Sequence, residues 1–222
     1  MALAKSGNGK LLIGDSIVKY LDQAMMEPRK GIDWINAGLL GDRLENVHWR
    51  GEDYADSTNI EKIVLAAGTC NLFSDSVEKI VQGIVEIHRS LSRKFPKASI
   101  WVQSILPRLF VTPKIVEKIR GVDSRLLEKL GQFFFNPYSD FITDKGKVRR
   151  DLLRKDGLYP SQKGNEKLIL ALEELSLESS TDRAETSMSI GLSYEAGSQW
   201  LVKYDRDSRL FREKSSRKKS IS

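Results

Sequence analysis

Short β-prone apolar runs recur along the chain, at Lys10 to Ile13, Ile32 to Ile35, Lys62 to Ala66, Ser99 to Gln103 and Gln132 to Phe135. Between them the apolar residues change period. Val77, Val81, Ile84, His88 and Leu91 fall on one face of a helix, as do Ile115, Ile119, Val122, Leu126 and Leu130. Strands alternating with amphipathic helices predict an α/β protein with a parallel sheet, because each parallel crossover needs a covering helix to bring the chain back to the same edge. A last helix is predicted to start at Ser161, a capping residue, and to turn Leu168, Ile169, Leu172 and Leu175 inward.

The pattern fades after about Leu177. Ser, Thr, Asp and Glu dominate first, then a basic stretch ends in Arg217-Lys218-Lys219-Ser220. This reads as a mobile tail in which Trp200-Leu201-Val202 and Tyr204 form an apolar island. The expected layout is a lead over residues 1–9, one domain over 10–176 and a flexible basic tail over 177–222.

Charge sharpens that division. The formal charge is +6, and Lys203 to Ser222 contributes eight basic residues against three acidic ones, which leaves about +1 for everything before it. An interaction with RNA or another polyanion is therefore expected in Lys203–Ser222 rather than on the body. The single cysteine excludes an internal disulfide framework, and Met1 to Lys10 lacks the apolar run of a secretory signal, so a cytoplasmic or nuclear location is expected. No run approaches the roughly 18–20 apolar residues of a membrane span.

The unusual residues sit where predicted strands end. In an open parallel sheet those positions converge on one crevice. Ser16 follows the first strand, Gly38-Leu39-Leu40-Gly41-Asp42 the second and Gly68-Thr69-Cys70-Asn71 the third, while Asp156 to Pro160 precedes the last helix. A serine at a helix start beside backbone N–H groups suits a nucleophile facing an oxyanion, although taken alone it reads first as an ordinary N-cap. Two separated histidines and one cysteine supply no metal set, and the glycines are not followed by the Lys and Ser or Thr of a phosphate loop. Neither metal nor cofactor is expected. Lys145, Lys147, Arg149, Arg150, Arg154 and Lys155 form either an anion-receiving loop or a solvated one.

These blocks, with Leu12-Ile13-Gly14-Asp15-Ser16 and Val47-His48-Trp49-Arg50, resemble the SGNH (GDSL-like) hydrolase family, in particular its platelet-activating-factor acetylhydrolase-like branch, over about residues 10–176. The resemblance implies a three-layer α/β/α sandwich with a five-stranded parallel sheet, flavodoxin-like. It implies Ser16 as nucleophile, Gly41 and Ser16 as backbone oxyanion donors and Asp156 as the acid of a triad. Two positions depart from the family pattern. Cys70 stands where the oxyanion-hole asparagine belongs, and Tyr159 where the catalytic histidine belongs.

Both departures weaken hydrolysis, because a thiol is a poor donor and a phenol titrates near 10. Loss of one oxyanion donor costs on the order of 100- to 1,000-fold, and loss of a triad histidine about a millionfold. His48 and His88 are both expected to be structural. Asp15 is expected to hold its turn, and Asn71 to offer a substitute amide if its loop shifts by one residue. The expectation is a pseudoenzyme, catalytically dead or severely impaired, that binds an unknown protein or a small acyl ligand. An active serine esterase using Ser16 and a nucleic-acid-binding adaptor remain open, as does a homodimer.

Overall fold

The computed structural model describes residues 9–21, 34–54 and 60–177, together with two short strands, Lys203–Tyr204 and Phe211–Arg212. Five strands form one sheet: β1 Gly9–Gly14, β2 Trp34–Gly38, β3 Ile60–Ala66, β4 Ser99–Gln103 and β5 Phe134–Phe135, in the order β2-β1-β3-β4-β5. Every neighbouring pair is parallel. The order places the first strand inside the sheet, so the chain winds outward first one way and then the other, as in doubly wound folds.

Side chains alternate across the three central strands, and that alternation builds two cores. Leu11, Ile13, Ile63, Leu65, Ile100 and Val102 face one side and pack on α2 (Leu44–Asp53), α3 (Val77–Lys94) and α4 (Pro113–Leu130). Leu12, Val64 and Trp101 face the other and pack on α1 (Ser16–Lys19) and α5 (Gln162–Leu177). The inward residues of α4 are Ile119, Val122 and Leu126, and those of α5 are Leu168, Ile169, Leu172 and Leu175. Helices on both faces of a five-stranded parallel sheet make the three-layer sandwich.

The structure moves two strand boundaries. β2 runs to Gly38 instead of ending at Ile35, because β1 supplies partners as far as Gly14, whose register mate is Gly38; the predicted residues 32 and 33 lie outside the described ones. The fifth strand shrinks to Phe134–Phe135, since Gly131 turns with φ +53 into a 3-10 helix that includes Gln132 and Phe133. His88 is half-buried rather than in the core stripe, which Ile84, Ile87 and Leu91 carry.

The tail falls almost wholly outside the described residues, including the Trp200 to Val202 island and most of Lys203 to Ser222. Its two described strands, β6 Lys203–Tyr204 and β7 Phe211–Arg212, pair antiparallel. Among the described residues no helix is long and apolar enough to cross a membrane.

Candidate functional site

Register brings the ends of three strands level, with Gly14 paired to both Gly38 and Ala66. Backbone packs on backbone there. A Cβ on Gly14 would lie 2.0 Å from the Ala66 carbonyl oxygen, and one on Gly38 would lie 2.2 Å from the Lys19 amide nitrogen. Arg50 fixes the same ends from below. Its guanidinium donates to the carbonyls of Gly14 and Ala37 at 3.0 Å each, and pairs with Asp42.

Asp15 follows and is almost fully buried. One carboxylate oxygen accepts from the Ile17 amide at 2.9 Å, capping α1, and the other accepts from the Thr69 amide at 3.2 Å. The carboxylate thus ties the β1–α1 turn to the loop after β3. Burial is the main reason its pKa rises from 3.8 to about 6, against the lowering effect of those two N–H groups. Ser16, the first residue of α1, is buried, and among the described residues its hydroxyl has no hydrogen-bond partner.

The loop after β3 turns at Gly68, whose φ of +114 is left-handed, into a 3-10 turn over Thr69–Asn71. Its two polar candidates face different ways. Asn71 is fully buried, accepts from the Leu44 amide at 3.1 Å and donates to Asp75. Asp75 in turn pairs with Arg43 at 2.9 Å and Lys79 at 3.1 Å. Asn71 is therefore a brace between the starts of α2 and α3, and a one-residue shift that freed it would break that brace. Cys70 is half-exposed. Burial first, and the nearby Asp15 charge second, push its thiol pKa up, so it stays a neutral, weak donor.

The last block forms a tight turn. Asp156 is exposed, and one carboxylate oxygen accepts from the amides of Leu158 at 2.8 Å and Tyr159 at 3.0 Å. It shapes the segment that presents Tyr159. The Tyr159 ring meets the Tyr20 ring edge-on at 4.7 Å, which brings this turn to the end of α1. The Arg154 guanidinium lies over both rings, 5.4 Å from Tyr20 and 5.9 Å from Tyr159. Gly41 has φ +77 and open space around it on the exposed loop after β2.

Both histidines are engaged elsewhere. His48 on α2 pairs with Glu52 at 3.3 Å, and His88 Nε2 is 3.2 Å from the Ile100 carbonyl, in a half-buried place that lowers its pKa. Among the described residues no three His, Cys, Asp or Glu side chains gather as a metal site.

Arg108, in the loop after β4, was not anticipated. Asp15, Cys70 and Tyr159, from three separate blocks, are all close enough to act on its charge. The available signal was a lone cation in Ile105-Leu106-Pro107-Arg108-Leu109-Phe110, five residues beyond the end of β4. That loop is locked to the last block, since the Leu109 amide donates to the Gly157 carbonyl at 2.8 Å.

No family model matches the chain. It is similar to platelet-activating factor acetylhydrolase IB subunit alpha1 of Rattus norvegicus, 28% identical over 144 residues that cover 64% of this chain and 61% of that protein. The chain thus spans about three-fifths of the length of that relative. It is also 34% identical over 85 residues to the subunit beta homolog of Drosophila melanogaster, covering 38% of this chain and 37% of that protein. Among solved structures, a GDSL-like lipase from Bacteroides thetaiotaomicron superposes with a TM-score of 0.65 at 16% identity, over 76% of this chain and 87% of that one. The chain has the SGNH-hydrolase fold. Within that fold, the first three strand-end blocks and the turn before α5 meet through Asp15–Thr69, Leu39–Gly14 and Tyr20–Tyr159 contacts.

Proposed function

We propose that this SGNH-fold chain binds a ligand at the carboxyl edge of its sheet without hydrolysing it. The observation that carries the reading is the packing of Tyr159 against Tyr20 and Arg154 at the position the resemblance gives to the base. A phenol does not take a serine proton readily at neutral pH, and neither histidine is free to replace it. The oxyanion side supports the same reading. Cys70 offers a neutral thiol, and the amide of Asn71 is committed to Leu44 and Asp75.

The test is turnover of short p-nitrophenyl esters. The unmodified protein is expected to hydrolyse them no faster than Ser16→Ala. Tyr159→His combined with Cys70→Asn is expected to create hydrolysis that depends on Ser16. Robust activity in the unmodified protein that disappears on Ser16→Ala would overturn the reading and leave a serine esterase of unusual base.

A further inference from the structure

Arg108 is a half-buried cation that has no hydrogen-bond or ion-pair partner among the described residues. Its Nε is shielded from water and has no hydrogen-bond partner, and among the described residues the guanidinium forms no ion pair. The arrangement is costly, because removing water from a charge without replacing its hydrogen bonds disfavours the charged form. The groups around it do not supply the missing contacts. Asp15 gives its two oxygens to the amides of Ile17 and Thr69, and Cys70 is a neutral thiol.

Aromatic rings flank this cation. The Phe73 ring lies 5.0 Å from the Arg108 guanidinium carbon and is 63% exposed, so one face remains open for a ligand. Tyr159 is near enough to act on the Arg108 charge, and it meets Tyr20 edge-on with the Arg154 guanidinium over both rings, so a second cation belongs to the same cluster. A planar guanidinium fork presents parallel N–H groups that match the two oxygens of a carboxylate or phosphate.

We propose that Arg108, beside the exposed ring of Phe73, holds a small organic oxyanion, a carboxylate or phosphate monoester whose apolar body packs on that ring. This rests on the binding reading above and names its ligand class. A polynucleotide fits the body less well. Residues before Lys203 carry only about +1 of the net charge, which is too little to neutralise a run of phosphates, whereas one anion needs one well-placed cation.

Benzoate, phenyl phosphate and neutral benzyl alcohol, titrated into the full chain by ligand-observed NMR, provide the test. At least one anion is expected to bind about tenfold or more tightly than the alcohol, the scale of a hydrogen-bonded charge contact. The preferred anion separates carboxylate from phosphate recognition. Arg108→Gln should reduce its affinity to that of the alcohol, and Arg108→Lys should retain part of the preference. Phe73→Ala should weaken anion and alcohol alike.

Equal binding of anion and alcohol, or an unchanged anion affinity in Arg108→Gln, would overturn the proposal. So would binding confined to an oligonucleotide such as oligo(U). If Arg108→Gln does not fold by circular dichroism, the Arg108→Lys and Phe73→Ala titrations decide. The same preparations are assayed for ester hydrolysis. Ser16-dependent turnover sinks the non-hydrolytic reading, whereas absent anion preference without turnover sinks only the ligand assignment.

Discussion

Replacing Asp15 by asparagine isolates a buried charge at the centre of the strand-end turn. The carboxyl group is 1% exposed, and its pKa in the folded chain is about 6 against an ordinary 3.8. A raised carboxyl pKa means that the folded state holds its proton more tightly than the unfolded state. Below about pH 4 both states are protonated and the site costs nothing. As pH rises from about 4 to 6 the unfolded chain releases its proton first, so stability falls, and above about 6 the loss levels off at about 3 kcal/mol.

Asparagine removes this titration and changes the hydrogen bonds. Its oxygen can still accept from Ile17, but its NH2 cannot accept from Thr69, leaving a buried donor unsatisfied at a cost of about 1–3 kcal/mol. Asp15→Asn should therefore be less stable than the parent at pH 4 and of equal or greater stability at pH 7. Between pH 4 and pH 7 the difference should swing by about 2–3 kcal/mol in the variant's favour. Urea unfolding of both proteins at pH 4, 5, 6 and 7 measures it, and other titrating groups cancel in the comparison. A difference that stays flat with pH, or that swings the other way, would refute the burial argument.

Gly14→Ala should destabilise the chain by about 3 kcal/mol or prevent folding, because the new Cβ meets backbone oxygen of Ala66 at 2.0 Å and strand register leaves it no room. Gly41→Ala is the control, with open space but φ +77, and should cost about 1 kcal/mol; equal effects in thermal unfolding would contradict the close-approach reading. Asn71→Ala should cost about 2–3 kcal/mol by orphaning the Leu44 amide and loosening Asp75, and a urea midpoint within error of the parent would show that the brace contributes nothing.

The layers were legible in the sequence because burial is written locally, residue by residue. Alternation through Leu11 to Ile13 and Ile63 to Leu65, and helical spacing through Ile119, Val122 and Leu126, need no knowledge of partners. Strand ends are a different matter. β2 extends to Gly38 because β1 offers it partners, and β5 is short because it reaches only Val102 and Gln103. The site was legible as blocks and not as contacts. Nothing in Gly68-Thr69-Cys70-Asn71 tells which side chain faces the crevice; Asn71 turns away because the first amide of α2 and the Asp75 carboxylate just ahead of α3 both claim it. Arg108 was hidden for the same reason, since its meaning lies in three neighbours distant in sequence.

The polar residues of these blocks also leave the side chain at position 159 free to vary. Asp15 binds amides of the first and third blocks, Asn71 joins α2 to α3, and Asp156 closes the turn that carries residue 159. Each holds backbone. None of these bonds uses the side chain at position 159, so the turn keeps its shape whether that side chain is a phenol or an imidazole. By contrast, Tyr159 itself is held by ring contacts with Tyr20 and Arg154, which the smaller ring of an imidazole can reproduce only in part. The scaffold that would position a histidine is thus independent of the residue now standing there. For that reason a failure of Tyr159→His with Cys70→Asn to restore hydrolysis, in a protein that still unfolds like its parent, would count against the assigned catalytic geometry and not against the integrity of the fold.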